Sequence, residues 1–175
     1  MEDTRNVTDE FKGREHEDIV AELDSRGTGL EVAVENTERD FNMGTIVRSA
    51  NAFGVRHIHV IGRRQWNKRG AMATDKYLYV HYYTSANEFA VEMSERKRVI
   101  IAVDNITSSE PLGLTKLPAN AVLVFGQEGP GISGEMAGVA EKIVAIEQFG
   151  STRSINVGVA AGIAMYVWVQ QHVLI

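Results

Sequence analysis

The segment LEVAVENTERDFNMGTIVRSANAF, residues 30–53, decides the fold because it joins a strand to a helix through a polar turn. Its first five residues, 30–34, are mostly apolar and β-branched, which favours a buried strand. Residues 45–53 place apolar side chains at helical spacing and predict an amphipathic helix. The segment therefore predicts one strand–turn–helix unit.

The same alternation continues to the carboxyl terminus. Further strands are predicted at HIHVI (57–61), RVIIAV (98–103), AVLVF (121–125) and KIVAI (142–146). Helices are predicted over 88–97 with Asn87 as the N-cap, from the cap Ser133 to Ala140, and over 156–172. Such alternation predicts an α/β fold with a mostly parallel sheet and helices on both faces.

Charge divides the chain into two parts. Residues 1–27 hold nine acidic and four basic side chains, so the whole net charge of -5 lies in this leader, where a short helix is predicted over 15–23. Residues 28–175 are neutral and are predicted to form one catalytic domain. The apolar run 157–169 is too short to span a bilayer. With no signal-like stretch and no cysteine, the sequence predicts a cytoplasmic protein.

Three polar segments follow predicted strands. They are the turn that contains NMG at 42–44, GQEGPG at 126–131, and EQFGSTRSIN at 147–156. Ligands of parallel α/β sheets bind beyond the carboxyl ends of the strands, so the three segments are expected to converge on one crevice.

These segments resemble the three motifs of the TrmH (SpoU) family of RNA 2'-O-ribose methyltransferases, in the SPOUT superfamily. The similarity rests on NMGTIVRSA (42–50), GQEGPG (126–131) and SINV (154–157), and it extends from about residue 30 to the end. It implies S-adenosylmethionine as cofactor, a carboxyl-terminal trefoil knot, and a homodimer whose last helix lies in the interface and whose site is completed across subunits. The chain has Ile155 and Gly158 where the family commonly has leucine and serine.

The resemblance implies that the catalytic residues are Asn42, Arg48, Glu128, Ser154 and Asn156. From the residues alone, Asn42, Ser154 and Asn156 are equally suited to cap helices, and Arg48 to form a structural ion pair. The family usually assigns the activation of the ribose hydroxyl to the arginine that matches Arg48. Because a guanidinium is a poor base at neutral pH, we expect Arg48 to orient the nucleotide and stabilise negative charge.

The resemblance also implies cofactor contacts from Gly126, Glu128, Gly129, Ile146 and Ile155. The glycine spacing matches neither a dinucleotide fingerprint nor a P-loop, which leaves a nucleotide-binding regulatory domain as a weaker alternative. No metal is expected, because His57 and His59 lack a third ligand at metal-binding spacing.

RNA is expected to bind the neutral body rather than the acidic leader. Residues 56–76 contain six basic side chains against one acidic one. The predicted contacts are Arg63, Arg64, Lys68 and Arg69, with Trp66 stacking on an unpaired base and Arg153 in the third polar segment. A solvated surface loop is the alternative. The substrate is expected to be transfer or ribosomal RNA, and a catalytically silent RNA-binding dimer is the other candidate function.

Overall fold

The computed structural model describes residues 3–37 and 42–174, in which seven strands form one sheet and every strand pair is parallel. The strands are β1 Glu31–Asn36, β2 His57–Gly62, β3 Tyr79–Tyr83, β4 Val99–Val103, β5 Glu110–Pro111, β6 Ala121–Phe125 and β7 Lys142–Ala145. Their order is β3-β2-β1-β6-β4-β7-β5. The prediction of an α/β fold built on a parallel sheet is confirmed.

Helices cover both faces of this sheet. They are α1 His16–Ser25, α2 Asn42–Ala52, α3 Ala86–Glu95, α4 Gly134–Val139 and α5 Val157–His172. Alternate strand residues separate the core into two layers. On β6, Leu123 and Phe125 belong to the cluster that contains α2 and α5, whereas Val122 and Val124 pack with α3 and α4.

Two strands were not predicted, and one helix begins at a different residue from the predicted one. Strand β3 was not predicted, because its run of tyrosines and a histidine lacks the aliphatic pattern of the other strands. The two-residue strand β5 was not predicted either. Helix α3 begins at Ala86, and its N-cap is Ser85, whose Oγ accepts a hydrogen bond from Glu88 N at 3.1 Å. The prediction that Asn87 caps this helix was wrong.

Strand register aligns the carboxyl ends of the central strands at one edge of the sheet. Val34 of β1 and Val103 of β4 both align with Phe125 of β6, and Val103 also aligns with Val144 of β7. The four central strands therefore reach the same level, and the described segments that follow β4, β6 and β7 lie side by side. Residues 38–41 of the predicted turn after β1 lie outside the described residues.

The leader packs against the sheet where β2 and β3 begin. The Asp24 carboxylate accepts hydrogen bonds from Arg56 Nε and Tyr79 Oη, both at 2.8 Å. Although burial opposes the effect, these hydrogen bonds hold the pKa of Asp24 below its ordinary value. Arg56 is consequently buried and ion-paired, so it does not belong to an exposed basic surface. Nowhere in the described ranges is there a helix long and apolar enough to cross a membrane.

Candidate active site

A pocket of about 310 Å³ lies beyond the carboxyl ends of β4, β6 and β7. The segments that line it are distant in sequence, as expected for a site assembled from loops on a parallel sheet. Seven of the predicted site residues line it: Gly126, Glu128, Gly129, Ile146, Ser154, Ile155 and Asn156. The structure thus brings the second and third motifs together.

Three polar side chains form a closed hydrogen-bonded triangle at the pocket. Asn42 Nδ2 donates to Glu128 Oε2 at 2.7 Å. Asn156 Nδ2 donates to Glu128 Oε1 at 3.1 Å and to Asn42 Oδ1 at 3.0 Å. Because Asn42 is the first residue of α2, the triangle also connects the first motif to the other two. Both carboxylate oxygens of Glu128 are fixed in orientation by amide donors.

Asn156 has a second, structural role. Its Oδ1 accepts hydrogen bonds from Gly158 N at 3.0 Å and Val159 N at 3.2 Å, and so caps the first turn of α5. The capping alternative left open by the sequence is thus present, and the catalytic role of Asn156 stays a prediction. The amide oxygen caps the helix, and the amide nitrogen donates to Asn42 and Glu128.

Glu128 lies at the tip of a tight turn. Gln127 and Gly131 exchange backbone hydrogen bonds at 3.1 and 3.0 Å, and they close the turn behind Glu128. Gly131 has φ +74°, a left-handed conformation that favours glycine. A Cβ on Gly126 would lie 2.1 Å from the backbone carbon of Gly131, so no side chain fits there. The glycines are required by the turn itself, which places Glu128 at the pocket.

Two acidic residues that were not predicted anchor this turn. Asp104 Oδ2, directly after β4, accepts from Ile132 N at 2.9 Å. Glu35, which is buried near the end of β1, accepts from Ser133 N at 2.7 Å and Ser133 Oγ at 2.6 Å. An acid next to a strand end is too common in sequences to identify such an anchor. Its partners become visible only once the strands are aligned.

The ionisable side chains of the pocket are all acidic. Within the described part of the chain, Asp104 and Glu128 are the lining residues that carry charge, and no lysine, arginine or histidine joins them. Gln148, also not predicted, lines the pocket with a buried Oε1 that has no hydrogen-bond partner among the described residues. The pocket therefore favours a cationic ligand with hydrogen-bond donors over an anionic one.

Arg48 lies outside this pocket. It is exposed on α2 and lines a separate groove of about 480 Å³ between α2 and the leader. Among the residues that the structure describes, the Arg48 guanidinium has no hydrogen-bond or ion-pair partner, so the structural ion pair that the sequence left open is not formed with any of them. The catalytic role of Arg48 stays a prediction, and within one chain the structure does not bring it to Glu128.

Helices α2 and α5 pack side by side, and both expose side chains to solvent. The start of α2 meets the start of α5, where a Cβ on Gly158 would lie 3.2 Å from Thr45 Cγ2. The end of α2 lies beside the middle of α5, because the rings of Phe53 and Tyr166 lie 6.1 Å apart. This exposed surface, called the α2–α5 face below, consists of Thr45, Arg48, Ala52, Val159, Ile163 and Tyr166.

The predicted RNA contacts lie on exposed loops. Arg63, Arg64, Lys68, Arg69 and Arg153 are all exposed. Trp66 is half-buried against the core, and the Lys68 ammonium lies 5.4 Å from its ring centroid. One part of this ring is thus already covered, which leaves less of it for a base than the sequence suggested. The role of all six residues stays a prediction.

Residues 63–71, called the basic loop below, pack against the start of α2. A Cβ on Gly44 would lie 2.7 Å from Ala71 N and 2.9 Å from Gly70 N, so the glycine allows the loop and the helix to touch. Because Asn42 begins the same helix, the loop borders the pocket region.

The two histidines named in the sequence belong to a packed network. His59 is fully buried, with Nε2 at 2.7 Å from Glu31 Oε2 and Nδ1 at 3.0 Å from Tyr83 Oη. In the described ranges, no group of three or more histidine, aspartate or glutamate side chains has an arrangement that could hold a metal ion.

Comparison with known proteins identifies the family. The model of the SpoU rRNA Methylase family matches residues 29–166. The chain belongs to this family. The predicted resemblance is confirmed by this SpoU match, which covers the pocket and its three motifs.

Individual SpoU relatives agree with this assignment. The chain is 28% identical to the tRNA (guanosine(18)-2'-O)-methyltransferase of Aquifex aeolicus over 82% of its length and 70% of the relative's. It is 27% identical to the Borreliella burgdorferi protein of the same name, over 91% and 73%. The crystal structure of the A. aeolicus TrmH/SpoU tRNA modifying enzyme superposes with a TM-score of 0.78 at 26% identity, over 89% of this chain and 81% of that one.

A ligand-bound SpoU structure supports the fold. AviRb from Streptomyces viridochromogenes, solved in complex with AdoMet, superposes with a TM-score of 0.74. It is 22% identical and covers 82% of this chain and 60% of that chain.

Proposed function

We propose that the pocket around Glu128 and Asn156 is the active site at which this chain methylates RNA. The predicted enzyme class, reaction and cofactor are confirmed by the family match and its relatives: the chain is an RNA methyltransferase that uses S-adenosylmethionine to methylate a ribose 2'-hydroxyl. The observation that carries the proposed location is the Asn42–Glu128–Asn156 triangle, because it joins all three motifs at one pocket.

The pocket residues fit S-adenosylmethionine. The pocket volume of about 310 Å³ lies at the lower end of the range for small-ligand sites. The acidic lining suits the cationic sulfonium and ammonium groups, and the unpaired Gln148 Oε1 offers an acceptor for an amino group. The apolar side chains of Ile146 and Ile155 are placed to pack against the adenine. An anionic nucleotide would meet two carboxylates here, which disfavours a nucleotide-binding regulatory domain.

The roles of the catalytic residues follow from this arrangement. When bound, the cofactor supplies a methyl group on a positively charged sulfur. Asn42 and Asn156 hold the Glu128 carboxylate in one orientation, and Ser154 is placed to contact the ribose of the nucleotide. Arg48 orients that nucleotide and stabilises negative charge on its 2'-oxygen. Because Arg48 lies outside the pocket of its own chain, we propose that it serves the pocket of a second subunit.

The α2–α5 face is the surface we assign to a homodimer. Val159, Ile163 and Tyr166 expose 54%, 38% and 45% of their surface on one side of α5, and Arg48 is exposed on α2, which packs against α5. Apolar side chains that are exposed together on a folded chain favour an interface with a partner. A two-fold axis through this face brings each Arg48 towards the other subunit.

Mixed dimers test whether Arg48 acts across subunits. Arg48→Ala and Glu128→Gln chains are each expected to form inactive dimers. When they are co-expressed in equal amounts, half of the dimers are mixed, and each mixed dimer holds one pocket with both residues intact. Activity should then return to about a quarter of the wild-type value. If Arg48 acted within its own chain, co-expression would restore nothing.

A direct assay tests the activity itself. Purified protein, labelled S-adenosylmethionine and unmodified transfer RNA are expected to give labelled RNA whose methyl group maps to one ribose by mass spectrometry. We propose transfer RNA as the substrate because the Aquifex and Borreliella relatives are named for it. Transfer to ribosomal RNA alone would change the substrate but keep the enzyme. Binding of RNA with no transfer to any RNA would support the catalytically silent dimer instead.

The basic loop is proposed as the RNA platform. Arg63 and Arg64 are exposed at the start of this loop, directly after β2. The other end of the loop rests on Gly44 of α2. Replacing both with glutamate should weaken RNA binding and reduce its salt dependence, because fewer phosphates are neutralised. Exchanging Lys97 and Lys116, exposed elsewhere, for glutamate provides the matched control for net charge. Equal salt slopes for the two double variants would contradict the platform.

Three further features remain part of the proposal. We assign residues 1–27 to a leader and 28–175 to the catalytic domain, in keeping with the family match from residue 29. We also propose a trefoil knot near the carboxyl terminus, where β7 is inserted between the earlier strands β4 and β5. Bacterial relatives that modify transfer RNA support a cytoplasmic location.

A further inference from the structure

We propose that Asp104 adjusts the selectivity of the pocket between the cofactor and its demethylated product. This inference rests on the proposed function. Methyl transfer converts the positively charged sulfonium of S-adenosylmethionine into the neutral thioether of S-adenosylhomocysteine. The two ligands otherwise share the same adenosine and amino acid groups, so a negative charge in the pocket is a feature that can separate them.

Asp104 is placed to act on that difference. It lines the pocket directly after β4, between the loops that follow β6 and β7. Its two oxygens accept from peptide nitrogens, Oδ1 from Asn105 N at 2.7 Å and Oδ2 from Ile132 N at 2.9 Å. Within the described ranges no lysine, arginine or histidine forms an ion pair with it. Each oxygen keeps further acceptor capacity, and the charge is not cancelled by a cation.

The second carboxylate of the pocket has a different environment. Glu128 is held by the amide groups of Asn42 and Asn156 on the side of the proposed chemistry. Asp104 instead lines the pocket beside β4 and is not part of the triangle. We therefore assign the electrostatic preference for a cationic ligand chiefly to Asp104.

The competing explanation is purely structural. Asp104 anchors the turn that carries Glu128, and a Cβ on Gly131 would lie 2.2 Å from its Oδ2. Damage to this anchor would distort the pocket for every ligand alike. An electrostatic role instead weakens the cationic ligand more than the neutral one, so the ratio of the two dissociation constants separates the explanations.

Calorimetric titration of both ligands into purified protein tests the proposal. For Asp104→Asn, which keeps the size of the side chain, S-adenosylmethionine should bind about tenfold more weakly relative to S-adenosylhomocysteine than in wild type. Glu35→Gln is the matched control, because Glu35 anchors the same turn at Ser133 but does not line the pocket. It should change both dissociation constants by the same factor.

The outcomes are distinct. Equal weakening of both ligands by Asp104→Asn, or an equal change of the ratio by Glu35→Gln, overturns the proposal. A wild-type protein that binds neither ligand overturns the proposed function and this inference with it. If Asp104→Asn does not fold, the proposal is tested by how the ratio of the two dissociation constants of the wild-type protein depends on salt concentration. High salt should shift the ratio towards S-adenosylhomocysteine, because screening weakens the contribution of the charge, and an unchanged ratio refutes it.

Discussion

The two roles of Asn156 can be separated by substitution. Asn156→Ser keeps a side-chain oxygen that can cap α5, whereas Asn156→Ala removes it. Both variants remove the Nδ2 group that donates to Asn42 Oδ1 at 3.0 Å and Glu128 Oε1 at 3.1 Å. We expect the serine variant to keep its stability but to methylate poorly, and the alanine variant to be both less stable and poor at methylation.

The magnitudes follow from the contacts. Loss of the cap to Gly158 N and Val159 N should lower the free energy of unfolding of Asn156→Ala by about 1 kcal/mol. Asn156→Ser should stay within about 0.5 kcal/mol of wild type, because serine caps helices nearly as well. A hydrogen bond to a charged group contributes about 1.5–3 kcal/mol, so loss of the bond to Glu128 should slow methyl transfer by about one to two orders of magnitude in both variants.

Denaturant unfolding and a methyl-transfer assay measure the two effects on the same preparations. Near-normal turnover of Asn156→Ser would refute the reasoning, because the amide donor would then be dispensable. Equal destabilisation by serine and alanine would refute the assignment of the cap. Circular dichroism of both variants serves as the control for folding.

The remaining predictions concern stability. Gly44→Ala should destabilise the protein by about 1–3 kcal/mol, because its Cβ would lie 2.7 Å from backbone, while Gly138→Ala, with nothing within 4 Å, should be neutral or slightly stabilising in the same thermal melts. Burial lowers the pKa of His57 and of His81. The two rings are neighbours, with His57 Nδ1 3.0 Å from His81 Nε2. The folded state therefore resists protonation, and the free energy of unfolding should fall as the pH drops below about 6.5, by at most about 1.4 kcal/mol per pH unit for each histidine. His81→Gln should flatten this dependence between about pH 7 and 5, and an unchanged slope would contradict it.

The sequence predicted most of the sheet because buried parallel strands are continuous apolar runs. AVLVF at 121–125 is fully buried, as such a run requires. Strand β3 does not follow this pattern because it lies at the edge of the sheet. There Tyr79 is exposed and His81 forms a hydrogen bond with His57. At an edge, contacts with one neighbour replace burial on both sides, and no apolar pattern is needed.

The site was predicted in part for a similar reason. The rule that loops meet beyond the carboxyl ends of parallel strands was sufficient to bring Glu128 and Asn156 together. It could not give the direction of Arg48, because a helix side chain six residues after Asn42 lies on a different side of the helix. Nor could it identify Asp104 and Glu35, whose partners Ile132 and Ser133 depend on strand alignment.

Helix α2 connects the three proposed functions within eleven residues. Asn42 at its start holds Glu128, Gly44 on one side seats the basic loop, and Arg48 on the exposed side faces the proposed partner. A packed helix moves as a rigid element, so a shift that separates Gly44 from the basic loop also moves Asn42 and Arg48. Substitutions at the loop contact should therefore affect RNA binding and methyl transfer together. Their effects should be non-additive with those of Arg48.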